Sequence, residues 1–268
     1  MSSFSAVLKS FGFIAMYLLI GVISGIVCSG SDSVHITFVT DAVTAVIGLL
    51  YCCRYVFPND RVCRENAGFM GVGRFLGLFC ELGAIWLLAQ MTTAMAQTFL
   101  YDPSFDSYQE NLVAANVSEM LLFTVFLAPA FEEILMRGMV QSCLRERYGP
   151  VVAVLVSSAV FAILHGTAVH LYFASVLGIA FGLLYERTRF LPACILAHVL
   201  CNFMSFALSG LSFSCAPWAL VAAGVLNFWM GARFLCSLSG LWFDYQASRF
   251  MARNDFEESC FGDRHQDG

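Results

Sequence analysis

The chain has 268 residues, 59% of them hydrophobic and only 12% charged, with a net charge of −5. A soluble domain carries about 25% charged residues, and a single soluble core stops growing near this length. Composition therefore excludes an ordinary soluble globule and makes lipid the solvent for the surplus apolar surface. The sign of the net charge identifies no partner, because the placement of charge matters more than its sum in a membrane chain. No basic tract points to nucleic acid.

A helix needs about 20 residues to cross roughly 30 Å of hydrocarbon. In chain order the apolar runs predict eight spans, at 11–28, 35–57, 75–98, 112–136, 151–166, 169–185, 190–208 and 216–238. The first follows a lone Lys9 and could pass for a signal peptide. It lacks a small-x-small cleavage site ahead of a soluble domain, so it reads as a span. The fifth and sixth are short and flank a tight turn at His165-Gly166-Thr167. The runs are continuous rather than alternating, which predicts an all-α helical bundle and not a β-barrel. No internal repeat is evident. The expected organisation is one transmembrane domain over 1–241, with a polar tail at 242–268 that is disordered or lies on the surface.

Lys and Arg favour the cytoplasmic side of a span. Arg54, Arg61, Arg64 and Arg74 mark the second connection, Arg145 and Arg147 the fourth, Arg187 and Arg189 the sixth, and Arg249, Arg253 and Arg264 the tail. The connections between them carry no basic residue; one holds Asp102, Asp106 and Glu110. This alternation supports the count of eight and puts both termini in the cytoplasm. The 11 cysteines lack CxxC spacing and lie mostly in apolar runs, where a free thiol acts as a small hydrophobe. Cys28 and Cys215 end up on the same outer side, but a bridge between them is not expected.

Ionisable residues within spans are costly and are functional candidates by default. They are Asp41, Glu81, Glu119, Glu132, Glu133, Arg137, His165 and His198. Glu133 and Arg137 are i,i+4 neighbours that can pair, while Glu132 points about 100° away and is free for a water or a metal. Pro129 removes a backbone donor and opens the helix nearby. His198 and Asn202 share one helix face by the same i,i+4 spacing. Taken singly, each feature also suits a surface ion pair, an interfacial histidine or polar packing between helices. Together, two imidazoles, a carboxylate and an amide can make a hydrolytic site. Glu132 acts as general base on a water, and His165 shares that water or binds a metal that acidifies it. His198 and Asn202 then donate to the oxyanion. By helix rise, Glu132 lies roughly 20 Å from Arg145, His165 roughly 22 Å from Pro150, and His198 roughly 13 Å from Arg189. The three meet only near mid-membrane or with a tilted fifth span.

At these residues the chain resembles the CPBP family, which holds the CAAX prenyl endopeptidases and the bacteriocin-processing proteins. Glu132-Glu133-xxx-Arg137, Phe161-xxx-His165 and His198-xxx-Asn202 match its three motifs in order, and Leu177–Thr188 is similar to its usual link. The resemblance covers about 115–208. It implies an intramembrane endopeptidase with a cytoplasm-facing cavity, using either a zinc ion on Glu132, His165 and His198 or a metal-free glutamate mechanism. It implies catalytic roles for Glu132, His165, His198 and Asn202, with Glu133, Arg137 and Phe161 supporting. The implied partners are the lipid bilayer and a peptide or membrane-protein substrate, which in prenylated form is lipidated; the expected location is a bacterial plasma membrane. A catalytically silent scaffold or bacteriocin-immunity factor, and a metal or proton carrier, are the competing readings. HExxH and GxSG, which mark other intramembrane peptidases, are absent, and no span holds GxGD. Asp41 and Glu81 match no motif.

Overall fold

A computed structural model describes residues 3–28, 33–67, 71–97, 102–103, 118, 121–207 and 217–261. Every element among them is helical. Helix α1 covers Ser3–Val27, α2 Ser33–Tyr51, α3 Phe57–Ala67, α4 Val72–Gln97, α5 Ala128–Glu133, α6 Ser142–Tyr148, α7 Pro150–Leu164, α8 Ala168–Thr188, α9 Leu191–Ala207 and α10 Pro217–Phe261. A π-helical stretch, Cys52–Val56, joins α2 to α3, and two more, Leu121–Leu127 and Ile134–Gln141, flank α5. The predicted spans therefore appear as eight continuous rods among the described residues. Five of them hold a segment long and apolar enough to cross a membrane, and α7 and α9 are shorter apolar helices. The start of the fourth span at 112–117, Glu119, the loop at 209–215 with Cys215, and the last residues from 262 lie outside the described residues.

Two outer rods show what the solvent must be. On α1, Phe11 is 66% exposed, and on α10, Phe228 is 81% exposed, each within a run of outward apolar neighbours. Water would penalise such faces by about 25 cal/mol for each Å², and lipid does not. The protein is an integral membrane protein. Its interior is built instead around α8, whose Leu177, Ala180, Phe181, Leu184 and Tyr185 are buried against α4, α7 and α9.

Close approach of α8 depends on two glycines one turn apart. A Cβ on Gly178 would meet Ser158 at 3.1 Å, and one on Gly182 would meet Val154 at 3.1 Å and Gln141 Oε1 at 3.2 Å. Small residues at such spacing let membrane helices touch backbone to backbone. Gly182→Leu should force these helices apart and cost about 1–3 kcal/mol. A lowered melting temperature of the purified variant checks this, and an unchanged one would contradict the packing.

The arginines that marked one side of the membrane also tie the rods together at that end. Arg189 pairs with Asp60 at 2.6 Å, Arg145 pairs with Glu186 at 2.7 Å, and Tyr185 donates to Asp60 at 2.6 Å. Gln141 Nε2 donates to Glu186 Oε1 at 3.0 Å and to the Gly182 carbonyl at 3.1 Å. Arg189 ends α8 in the left-handed region, at φ 47°, where glycine is usual. Its ion pair and its stacking over Tyr185, 4.8 Å from the ring, hold it there. Glu81, which matched no motif, bridges three rods through Arg233 at 2.8 Å and Arg187 at 3.6 Å.

One expectation about the tail differs from the structure. The eighth rod does not stop near 238 but runs on as helix through Phe261. Tyr245 packs on the α6–α7 turn, where Gly149 has φ 82° and a Cβ would collide with the tyrosine ring. The segment past 242 carries polar residues on a helix that also exposes Phe243, Phe250 and Met251.

Candidate active site

The glutamate pair lies at the end of α5, a single α-helical segment between two π-helical stretches. Wider π turns are frequent at functional sites, because they turn side chains out of the α-helical register. Pro129 explains part of this geometry. It opens the first turn of α5, so it gives no N–H to the carbonyls of the turn before it, that of Thr124 among them. Asn202 Nδ2 donates to that carbonyl instead, at 3.0 Å. The amide of α9 thus repairs a break in the glutamate-bearing rod, and its second N–H stays available.

Glu133 is fully buried with Arg137. Oε2 lies 3.2 Å from Arg137 Nε, yet neither atom makes an aligned hydrogen bond. We read the pair as a charge contact rather than a bidentate clamp. The guanidinium has other anchors: NH2 donates to the Gly178 carbonyl at 2.8 Å, and the group stacks 5.2 Å from the Phe161 ring and 5.7 Å from Phe181.

His198 stands between the two glutamates. Its Nδ1 is 3.0 Å from Glu133 Oε1, a hydrogen bond, and its Nε2 is 3.7 Å from Glu132 Oε2, an ion-pair distance too long for one. The histidine side chain is 4% exposed, whereas Glu132 keeps 33% of its side chain accessible. Glu133 therefore fixes the ring, and Glu132 faces it with room to move.

His165 joins through an aromatic bridge rather than by direct bonding. Its Nδ1 is 2.8 Å from the Phe161 carbonyl, so Nδ1 carries the proton and Nε2 is the acceptor. The Phe161 ring touches both imidazoles edge-on, His165 at 4.5 Å and His198 at 5.8 Å between centroids. Phe181 lies 4.8 Å from His198 on another side. The structure thus brings Glu132, Glu133, Arg137, Phe161 and His198 together and sets Asn202 one turn along α9 from His198. No hydrogen bond or ion pair joins His165 to Glu132 among the described residues. Nor do three His, Cys, Asp or Glu side chains among them converge closely enough to hold a metal ion. The expected set of Glu132, His165 and His198 does not fit a metal in this arrangement.

Sequence reasoning missed Phe181 and Gly178, which share Arg137 with the glutamate. The flagged link at Leu177–Thr188 contains both, but their roles depend on how α8 faces α5.

Residues 115–204 match the model of the type II CAAX prenyl endopeptidase Rce1-like family. The motif-bearing segment, about a third of the chain, is thus similar to the family that its motifs resemble. A protein named "Putative membrane peptidase YdiL", from Bacillus subtilis (strain 168), is 32% identical over 83 residues, which are 31% of this chain and 34% of that protein. The chain therefore spans about a third of the length of the relative it matches. No solved structure matches. The matched segment holds all the motif residues described above, so the similarity and the geometry fall on the same side chains.

Proposed function

We propose that the protein is an intramembrane endopeptidase of the CAAX-protease type. The observation that carries this reading is His198 held by Glu133 while its other ring nitrogen faces the accessible Glu132. Glu132 takes a proton from a water, and the resulting hydroxide attacks the scissile carbonyl. His165 Nε2 can help hold that water. The carbonyl oxygen becomes the oxyanion, met by the second N–H of Asn202 and by His198 when it carries a proton on Nε2. The C–N bond then breaks, and the proton on Glu132 passes to the leaving amine. Glu133 keeps the imidazole in orientation, the task a buried carboxylate performs beside histidine in other hydrolytic sites.

Because the three donors do not converge, no step here runs through a metal. Cleavage should survive prolonged treatment with a strong zinc chelator. Activity lost on chelation and restored by added zinc would replace the carboxylate-only route. The substrate class we propose is a membrane-associated peptide, lipidated in the CAAX manner, and the site of action a bacterial plasma membrane.

The test uses the full chain in liposomes and, as probe, a peptide with a farnesylated cysteine ahead of its last three residues. Release of the terminal tripeptide by the native protein and not by Glu132→Gln supports the proposal. An intact probe with the native protein contradicts it and leaves a silent scaffold as the better reading.

A further inference from the structure

Asp41 lies in α2 within a segment suited to crossing the membrane, and only 6% of its surface is exposed. An acid in that place is costly to insert and is retained where it has a task. Among the described residues Asp41 forms no ion pair. Its partner is Tyr17 of α1, whose hydroxyl donates to Oδ1 at 3.2 Å. Packing alone would be served better by an apolar side chain.

The position of α2 gives the acid its context. Phe38 lies 6.4 Å from the Phe131 ring between centroids, and Gly48 backs onto Ile134 and Met139. The helix thus runs beside the glutamate-bearing rod in the same direction. Asp41, about one turn past Phe38, comes level with the segment that follows Phe131. The Asp41 carboxyl and the Tyr17 hydroxyl are near enough to Glu132 for its charge to be felt at both. The charged and titratable groups that act on Glu132 are thus His198 from α9, Glu133 and Arg137 on its own rod, Asp41 from α2 and Tyr17 from α1.

Glu132 makes no aligned hydrogen bond among the described residues, so bonding does not fix its direction. Fields act on it instead: His198 and Arg137 attract, and the like charges of Asp41 and Glu133 repel. We infer that Asp41, held by Tyr17, is a positioning residue of the peptidase, keeping the Glu132 carboxylate turned toward His198 and the scissile bond. The inference rests on the proposed function and adds to it a residue from the first half of the chain, outside the family match.

The experiment compares native protein, Asp41→Asn, Asp41→Glu, Tyr17→Phe and Glu132→Gln in liposomes, on the same farnesylated peptide, with kcat, KM and melting temperature measured for each. Asp41→Asn keeps the size of the side chain and its acceptor for Tyr17 but removes the charge. It should lower kcat about tenfold or more, as expected when a reacting group is misaligned, with KM changed by less than about twofold and no fall in melting temperature. Asp41→Glu should recover part of the rate, and Tyr17→Phe should show a smaller loss in kcat. A rate for Asp41→Asn equal to the native one overturns the inference, as does a loss that simply follows a lowered melting temperature. If Asp41→Asn fails to fold, Tyr17→Phe decides by the same split. Undiminished cleavage by Glu132→Gln, or none by the native protein, sinks the proposed function itself and the inference with it.

Discussion

Glu132→Gln should lower kcat/KM by about 10²–10⁴-fold, the range that general-base removal costs, while the bundle stays folded. The substitution keeps volume and polarity at a side chain that is one-third accessible and whose nearest ionic partner, His198, is 3.7 Å away. Little packing or bonding is lost, so the melting temperature should stay close to that of the native protein. The affected group is the one that must take the proton from water. Initial rates and a melting curve on the same preparation separate chemistry from folding. A variant that cleaves as fast as the native protein removes Glu132 from the reaction.

The second large effect is on stability. Arg137→Ala should cost about 3–5 kcal/mol, because it leaves the fully buried Glu133 without a compensating charge. It also removes the hydrogen bond to the Gly178 carbonyl and the stacking between Phe161 and Phe181. Activity should fall with stability, since Glu133 also holds His198. Removing both charges in Glu133→Gln/Arg137→Met should restore much of the melting temperature, because a buried pair replaced as a unit is often near neutral. It should not restore cleavage, since the ring then loses its carboxylate. A silent Arg137→Ala would show that the pair does not stabilise the fold.

Much of the architecture was legible in the sequence because membrane helices announce themselves by continuous apolar runs and by arginines at alternate ends. The i,i+4 spacing of Glu133 with Arg137 reads directly as a pair, and the structure has it. What the spacing leaves open is the use of each group. The i,i+4 match of His198 with Asn202 correctly puts both on one face, yet His198 turns to the glutamates and Asn202 to the Thr124 carbonyl. That second contact follows from Pro129, whose effect reads as an opened helix but not as the residue that fills it. Asp41 and Glu81 looked alike in the sequence. Glu81 bridges arginines on two other rods, and Asp41 lies on the helix packed beside the rod of the candidate base. Only the lateral packing of helices, which apolar runs do not encode, tells them apart. The helical course of α10 past Trp242 does not read from composition for a related reason: polar residues there interrupt the apolar run without ending the helix.

The most direct test of the central claim is the mass of the products formed by excess enzyme on the farnesylated peptide in heavy-oxygen water. The account predicts cleavage ahead of the terminal tripeptide, with one heavy oxygen in the new carboxylate, for the native protein and no product for Glu132→Gln. An uncut peptide with the native protein, or the same labelled product from both, would contradict it.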